Sequence, residues 1–187
     1  MLIAQGGEAG GYGGVIGSLT LIPQVVDAVA PIPVVAAGGI FDGRGLAAAL
    51  MLGAVGVNLG TRFLASKEAP IEEGWQQAIL SATSEDTVKA DVLNAIRPLP
   101  GTVGYRTVLR ALRSDFIEHW NANLEEAATK RNELLTQVGA SASQGGRQQT
   151  IAGAGQGAGA IRDVLPVAEI IQRIISQAEA TLARARG

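Results

Sequence analysis

The feature that most constrains the fold is a unit of strand, glycine-bearing loop and helix that occurs three times between residues 2 and 80. Short apolar runs at 2–5, 33–37 and 54–59 each stop at a glycine, and each is followed by apolar residues at helical spacing. This order is typical of parallel βα units, whose strands are buried on both faces. Such units close either as a doubly wound sheet or as an eightfold barrel, and the pattern alone leaves both open.

Local signals predict where the helices begin and end. Thr20 has the position of an N-cap for the first helix, and Asp42 has that position for the second, which Gly53 ends. Pro70 opens a third helix, because proline is tolerated in the first helical turn.

The pattern changes after the third helix. Residues 87–92 predict a further strand, 97–104 a loop, and 107–137 one long helix with few breakers. Residues 139–159 are rich in Gly, Ser, Gln and Ala, a composition that favours a flexible surface loop. Asp163 has the position of an N-cap for a terminal amphipathic helix.

Composition excludes several classes of protein. The net charge of −2 and the 4% aromatic content give neither the basic surface nor the stacking platform that nucleic-acid binding needs. Without cysteine there is no disulfide, no Cys-type zinc site and no thiol catalysis, and we expect no metal site. Residues 1–14 lack a basic segment followed by an apolar run, and no stretch predicts a membrane span. We therefore expect a soluble, cytoplasmic protein that acts on a small molecule.

The glycine loops suggest an anion site. Glycines at the carboxyl ends of parallel strands let backbone N–H groups approach a phosphate, and the helix that follows adds positive potential. Gly38-Gly39 and Gly60-Thr61 are the natural phosphate-binding pairs, with the Thr61 hydroxyl as an extra donor. For a single loop, tight turns and close packing are the better explanation of glycine, whereas three consecutive loops favour a phosphate or flavin site. A Rossmann site is less favoured, because no Gly-x-Gly-x-x-Gly motif opens a helix.

Three segments resemble a known family. These are Gln-Gly-Gly-Glu-Ala-Gly-Gly at 5–11, Ala-Ala-Gly-Gly-Ile at 36–40 and Leu-Gly-Thr-Arg-Phe at 59–63. In order and spacing they resemble the C-terminal portion of the nitronate monooxygenase family, formerly called 2-nitropropane dioxygenase, which also includes FMN-dependent enoyl-ACP reductases. The similarity continues through 110–120 and 155–159, so it covers essentially the whole chain.

The resemblance implies an α/β fold: a partial (β/α)₈ TIM barrel with an additional helical segment and FMN at its mouth. The implied activity is oxidation of alkyl nitronates with O₂ to a carbonyl compound and nitrite. The alternatives are an enoyl-ACP reductase-like enzyme and a catalytically impaired truncated homologue. The implied organisation is a single domain over 1–187, with FMN-binding βα units at 1–92, a helical insertion at 105–138, and a glycine-rich loop with the terminal helix at 139–187.

The resemblance also assigns roles to individual residues. Gln5 and Gly10 would contact the flavin or its ribityl chain, and backbone N–H groups of Gly38 and Gly39 would bind the phosphate. Four residues would close that phosphate site: Asn58, Leu59, Gly60 and Thr61. Residues 155–159 would approach the flavin ring, which replaces the flexible-loop interpretation.

One residue departs from the family pattern. Tyr12 occupies the position of the family's catalytic histidine. A tyrosine with an ordinary pKa near 10 is a poor base at neutral pH, so we expect preformed nitronates to be used in preference to neutral nitroalkanes. Glu8 lies in the flavin loop, where a structural hydrogen bond and a catalytic role are equally plausible, and Phe63 would help shape the substrate pocket. His119, the single histidine, fits a solvated or packing role.

The other departure is length. A TIM barrel typically needs about 250 residues, so we expect this chain to open at about the fifth of eight strands. Three explanations remain open: a truncated chain, which is the simplest, a start inside a longer reading frame, or pairing with a second half-barrel. Self-association or a missing N-terminal half would cover the open sheet.

Overall fold

The computed structural model describes residues 1–98 and 107–185. Within these residues the strands are β1 (Leu2–Gln5), β2 (Gly11–Gly13), β3 (Val34–Ala37), β4 (Gly56–Asn58), β5 (Thr87–Lys89) and β6 (Val108–Leu112). The first helices are α1 (Ser18–Val29), α2 (Gly43–Met51), α3 (Thr61–Leu64), α4 (Glu73–Ser81) and α5 (Asp91–Ile96). The remaining helices are α6 (Asp115–Asn121), α7 (Leu124–Thr129), α8 (Arg131–Ser143) and α9 (Val167–Arg184).

The three predicted βα units are confirmed as a parallel sheet in the order β1-β3-β4. β3 lies in the middle because its residues are small and apolar, so helices can pack closely on it. Ile22 of α1 and Ala49 of α2 are buried against Ala36 at the centre of this layer. The fold is therefore mixed α/β with parallel strands. A closed eight-stranded barrel is not present in the part of the chain that the structure describes.

The predicted ends of α2 are confirmed. The Asp42 carboxylate accepts hydrogen bonds from the N–H groups of Arg44 and Gly45, at 3.0 and 3.1 Å. Gly53 has φ of +91°, a conformation that favours glycine at the end of a helix.

Two other caps were predicted wrongly. α1 begins at Ser18 and not after Thr20, because the Glu8 carboxylate accepts the Ser18 N–H at 2.9 Å and caps the helix from outside. α9 begins at Val167, after Pro166, and the Glu68 carboxylate accepts the Val167 N–H at 3.0 Å. In both cases a carboxylate distant in sequence replaces the local cap, and local sequence does not reveal it.

A second sheet, antiparallel in the order β2-β6-β5, was not predicted. The predicted strand at 87–92 is limited to β5, and α5 follows at once. The predicted single helix over 107–137 is also wrong, because its first residues form β6, which pairs with both β2 and β5. The apolar residues of β6 gain more from this long-range pairing than from helix formation.

The rest of that predicted helix is divided into α6, α7 and α8. The Ser114 hydroxyl accepts the Ile117 N–H at 3.2 Å and starts α6 afresh after β6. These helices pack with α5 around Ile96, Ile117 and Leu134. The boundary between βα units at 1–92 and a helical insertion at 105–138 is thus not a structural one, since β5 and β6 belong to one sheet. The predicted loop at 97–104 lies outside the described residues from 99 onward.

Candidate functional site

A cleft of about 310 Å³ opens at the carboxyl ends of the three parallel strands. Each strand contributes the loop that follows it, as the repeated pattern predicted. The lining residues are Gln5, Ala9, Gly10, Gly11, Ala37, Gly38, Gly39, Ile40, Phe41, Asn58, Gly60, Thr61, Leu64, Trp75, Gly153, Gly155 and Gly157.

Most of the residues chosen from sequence meet in this cleft. Those that line it are Gln5, Gly10, Gly38, Gly39, Asn58, Gly60 and Thr61. Among the described residues, neither Leu59 nor Tyr12 is part of the lining. The 155–159 segment reaches the cleft through Gly155 and Gly157, so the flexible-loop interpretation from composition was wrong.

Close backbone packing explains some of the glycines. A Cβ on Gly10 would lie 2.6 Å from the carbonyl carbon of Ala154, and one on Gly155 would lie 2.7 Å from the Glu8 carbonyl oxygen. The two loops therefore cross backbone to backbone, with room for no side chain. Gly38 and Gly39 have φ of +98° and +69°, which other residues rarely adopt.

Gly60 has no such explanation within the protein. Its φ of −94° suits any residue, and none of the atoms in the described ranges lies within 4 Å of an added Cβ. Its side-chain direction is open space at the cleft mouth. Within the described chain, the N–H groups of Gly39, Ile40 and Gly60 donate no hydrogen bond. Free N–H groups beside a space that a Cβ would fill are what a bound phosphate group requires.

Two polar side chains are held in place at the cleft. The Gln5 side-chain amide donates to the Tyr12 carbonyl oxygen at 2.6 Å, which fixes the amide and leaves its own oxygen as an acceptor. The Thr61 hydroxyl accepts the Gly155 N–H at 2.9 Å, so its proton remains available to donate. The hydroxyl thus both joins two loops and keeps the donor role that the sequence predicted.

Positive potential from the start of α2 does not reach the cleft. The Asp42 carboxylate occupies the first N–H groups of this helix, and the Gln177 side-chain oxygen accepts the Gly43 N–H at 2.8 Å. The N–H groups at the start of α2, which the sequence suggested as phosphate donors, therefore already donate to protein side chains. Anion binding here depends on the loop N–H groups.

Sequence reasoning missed the apolar wall of the cleft, which consists of Phe41, Leu64 and Trp75. A Cβ on Gly157 would lie 3.2 Å from the Phe41 ring, so the glycine lets that ring lie flat against the loop. An aromatic residue directly after the Gly-Gly-Ile loop was the available signal. Phe63, which the sequence favoured, is half-buried outside the lining.

The structure places Tyr12 against a different part of the molecule. β2 pairs with β6, and strand alternation directs Tyr12 away from the face shared by Gly11 and Gly13. Its ring packs against the helical cluster around Ile96 and Ile117. Burial raises the pKa of the Tyr12 hydroxyl above its ordinary value, so even less of the phenolate that could act as a base is present at neutral pH.

The other ionisable candidates also lie elsewhere. Both Glu8 oxygens accept the Ser18 N–H and one accepts the Ser18 hydroxyl at 3.0 Å, so this carboxylate has a structural role. His119 is exposed on α6, where its ring stands edge-on to Trp120 at 4.7 Å. Of the described residues that line the cleft, none is Asp, Glu, His, Lys, Arg or Tyr.

Two further absences apply to the described residues. No group of three His, Asp or Glu residues in 1–98 and 107–185 is arranged to hold a metal ion. No helix there combines the length and the apolar character that crossing a membrane requires.

Parallel strands that end in glycine loops, around a cleft whose described lining is uncharged, define an α/β protein with a cleft of the kind that accepts phosphate-bearing ligands. Comparison with known proteins shows to which family the chain belongs. The chain matches the sequence model of the nitronate monooxygenase family over residues 1–177, and it belongs to that family.

Similar proteins agree on the fold. A probable nitronate monooxygenase of Staphylococcus saprophyticus is 35% identical over an alignment of 198 positions, gaps included, that covers 98% of this chain and 52% of the relative. FabK of Thermotoga maritima superimposes with a TM-score of 0.85 at 34% identity, covering 99% of this chain and 56% of that one. The nitroalkane oxidase of Streptomyces ansochromogenes gives 0.78 at 30% identity, covering 98% and 52%.

The comparisons describe the relatives of this chain. The family and these structural neighbours are flavin-dependent oxidoreductases that act on small molecules. This chain spans about half the length of these three relatives.

Proposed function

We propose that this chain forms the FMN-binding part of an oxidoreductase that oxidises alkyl nitronates with O₂ to a carbonyl compound and nitrite. The observation that carries the proposal is Gly60. Its N–H donates no hydrogen bond to a described residue, no described atom fills the space beside it, and Gly38-Gly39 line the same cleft.

The residues present fit FMN. Backbone N–H groups of Gly39, Ile40 and Gly60 would hold the phosphate, with the Thr61 hydroxyl as a further donor. Gln5 and Gly10 would face the ribityl chain and ring. When bound, the flavin supplies the redox step, in which electrons leave the nitronate and O₂ is the final acceptor.

The apolar wall orients the ligand and excludes water. Phe41, Leu64 and Trp75 offer a surface for a flat ring or an alkyl chain, while Gln5, Thr61 and the glycine loops supply the polar groups. A ligand with one charged end and one flat apolar end fits this division.

The uncharged lining restricts the substrate. Removal of an α-proton from a nitroalkane needs a base within hydrogen-bond reach, and the described lining offers none. A preformed nitronate has already lost that proton. The cleft therefore suits nitronates and not neutral nitroalkanes.

Reduction of an enoyl thioester is the second candidate. The same apolar wall would accept an acyl chain, and the fold superimposes on FabK with a TM-score of 0.85. The two functions differ in their electron flow, so substrate tests separate them. Nitronate oxidation consumes O₂ and releases nitrite, whereas enoyl reduction consumes NAD(P)H.

The first test is flavin retention by the purified chain, read with a matched pair of tryptophan variants. Trp75 lines the cleft, while Trp120 packs on the helical cluster. FMN bound in the cleft should quench Trp75 emission strongly, so a Trp120→Phe variant should lose more fluorescence on titration than a Trp75→Phe variant. Equal quenching in both, or no retained flavin from folded protein, would contradict the proposed site. O₂ uptake with a propyl nitronate, against NAD(P)H oxidation with a crotonyl thioester, then decides the reaction.

A further inference from the structure

The loop between Gly6 and Gly17 contains seven glycines, yet it forms one wall of the cleft through Ala9, Gly10 and Gly11. Glycine loses more conformational freedom on ordering than any other residue. A segment of this composition therefore needs strong contacts from outside itself to remain in one conformation.

Lys89 and Arg110 supply such contacts from beneath the loop. The Lys89 ammonium donates to the carbonyl oxygens of Gly13, Gly14 and Val108, each at 3.2 Å. Arg110 Nε donates to the Gly7 carbonyl oxygen at 3.1 Å. One cation thus holds the start of the pocket-lining stretch and the other holds its end.

The placement of these cations is otherwise unfavourable. Lys89 and Arg110 face each other directly across the antiparallel β5–β6 pair, where like charges repel. Both are half-buried, and burial lowers the pKa of each below its ordinary value. The Glu8 carboxylate beside them is engaged by Ser18. Carbonyl oxygens of the loop, together with those of Thr87 and Val108 and the charges of Glu8 and Asp91, offset this repulsion and desolvation. The pair thus joins the loop to β5 and β6.

We propose that Lys89 and Arg110 are positioning residues that hold the glycine loop in the conformation required by the cleft. Within the described chain, the side-chain hydrogen bonds of the two cations to the loop go to the carbonyl oxygens of Gly7, Gly13 and Gly14, none of which lines the cleft, so the side chains act through the loop backbone. The inference rests on the proposed function in that the cleft is taken to be the flavin site. A loop fixed before binding loses less entropy when the ligand arrives, so release of the loop should appear as weaker binding.

The test compares Lys89→Met with Lys130→Met in the full chain. Lys130 is an exposed lysine that pairs with Glu126 on the helical surface, far from the loop. We expect Lys89→Met to accelerate amide hydrogen exchange in peptides covering 6–17 by about tenfold or more and to weaken FMN binding by a similar factor. Lys130→Met should change neither quantity.

A chemical rescue separates positioning from general stability. Lys89→Ala leaves three carbonyl oxygens around the vacated ammonium position, an arrangement that accepts a small cation. Ammonium chloride should restore slow loop exchange and FMN affinity to this variant. Tetramethylammonium chloride, which has the same charge but no N–H donor, should restore neither.

Each result decides a different point. Unchanged loop exchange in Lys89→Met, or no difference between the two salts in Lys89→Ala, would overturn the positioning role whether or not flavin binds. If the wild-type chain retains no flavin, the proposed function fails, while loop exchange in the flavin-free protein still decides the role of the two cations. Should Lys89→Met fail to fold, Lys89→Arg tests the same point, because it keeps the charge and should keep slow exchange.

Discussion

Replacement of Gly60 by alanine should weaken cofactor binding while it strengthens the fold. The position has an ordinary φ of −94° and no protein atom within 4 Å of the new methyl group. The folded chain therefore accepts alanine without strain, and the unfolded chain loses freedom. The expected gain is about 0.4–1 kcal/mol in the free energy of unfolding.

The effect on binding has the opposite sign. The methyl group occupies the space beside the free N–H groups and displaces a phosphate from them. Loss of one hydrogen bond to a charged group costs about 1.5–3 kcal/mol. At about 1.4 kcal/mol for each factor of ten, the dissociation constant for FMN should rise about 10- to 150-fold.

The assay measures both quantities on the same samples, with urea unfolding for stability and flavin titration for affinity. Gly139→Ala is the matched control, because Gly139 is exposed in α8 and also has open space around an added Cβ. This control should gain about 0.5–1 kcal/mol of stability, since alanine is the better helix former, with FMN affinity unchanged.

The reasoning is refuted if Gly60→Ala binds FMN as tightly as the wild type. Unaltered affinity would mean that nothing approaches the backbone at this position. A loss of affinity accompanied by lost stability would also contradict the argument, since it would point to a clash within the protein.

Three further predictions concern stability, pH and the absent base. Tyr12→Phe should change the rate with a preformed nitronate by less than about threefold, where loss of a true general base would cost about 10²–10⁴-fold, and a larger effect would return Tyr12 to the chemistry. Arg62→Met should lower the free energy of unfolding, measured in urea, by about 2–4 kcal/mol. The reason is that Arg62 is 8% exposed and donates to the Asp163 carboxylate and to two carbonyl oxygens. A cost below about 1 kcal/mol, typical of exposed ion pairs, would contradict a stabilising role for this buried side chain. Hydrogen bonds from the Thr83 N–H and hydroxyl lower the pKa of Asp86 below 3.8, so this carboxyl stabilises the fold above pH 3.8 and that stability is lost as the pH falls through the lowered pKa. When the free energy of unfolding is measured between about pH 5 and pH 2, it should fall less steeply with pH in Asp86→Asn than in the wild type. The same pH dependence in both proteins would exclude a stabilising role for the Asp86 carboxylate.

The sequence predicted the parallel part of the fold because its signals are local. A run such as 33–37 is apolar throughout and ends in glycine, which requires a buried strand followed by a turn. The cleft followed from the same pattern, since carboxyl ends of parallel strands meet at one edge. Asp42 and Gly53 were correct for the same reason, because a cap acts within a few residues.

The errors concern contacts between distant residues. β6 contains helix-compatible residues, and only its partners β2 and β5 make it a strand. Glu8 replaces a local cap at α1 from ten residues away, and no spacing rule contains that information. Tyr12 was assigned to the cleft by its position in a motif, whereas its side chain follows the alternation of a strand that sequence did not predict.

The contacts that complete the cleft also set the order in which it can form during synthesis. Thr61 meets Gly155, 94 residues later in the chain, and Arg62 meets Asp163, 101 residues later. Closing loops of this length is slow relative to forming the local βα units. An emerging chain can therefore build its parallel strands early, but it has no complete cleft until residues beyond 160 have left the ribosome. The proposed cofactor site is thus completed late in folding, after the segment around Gly155 and Asp163 has docked.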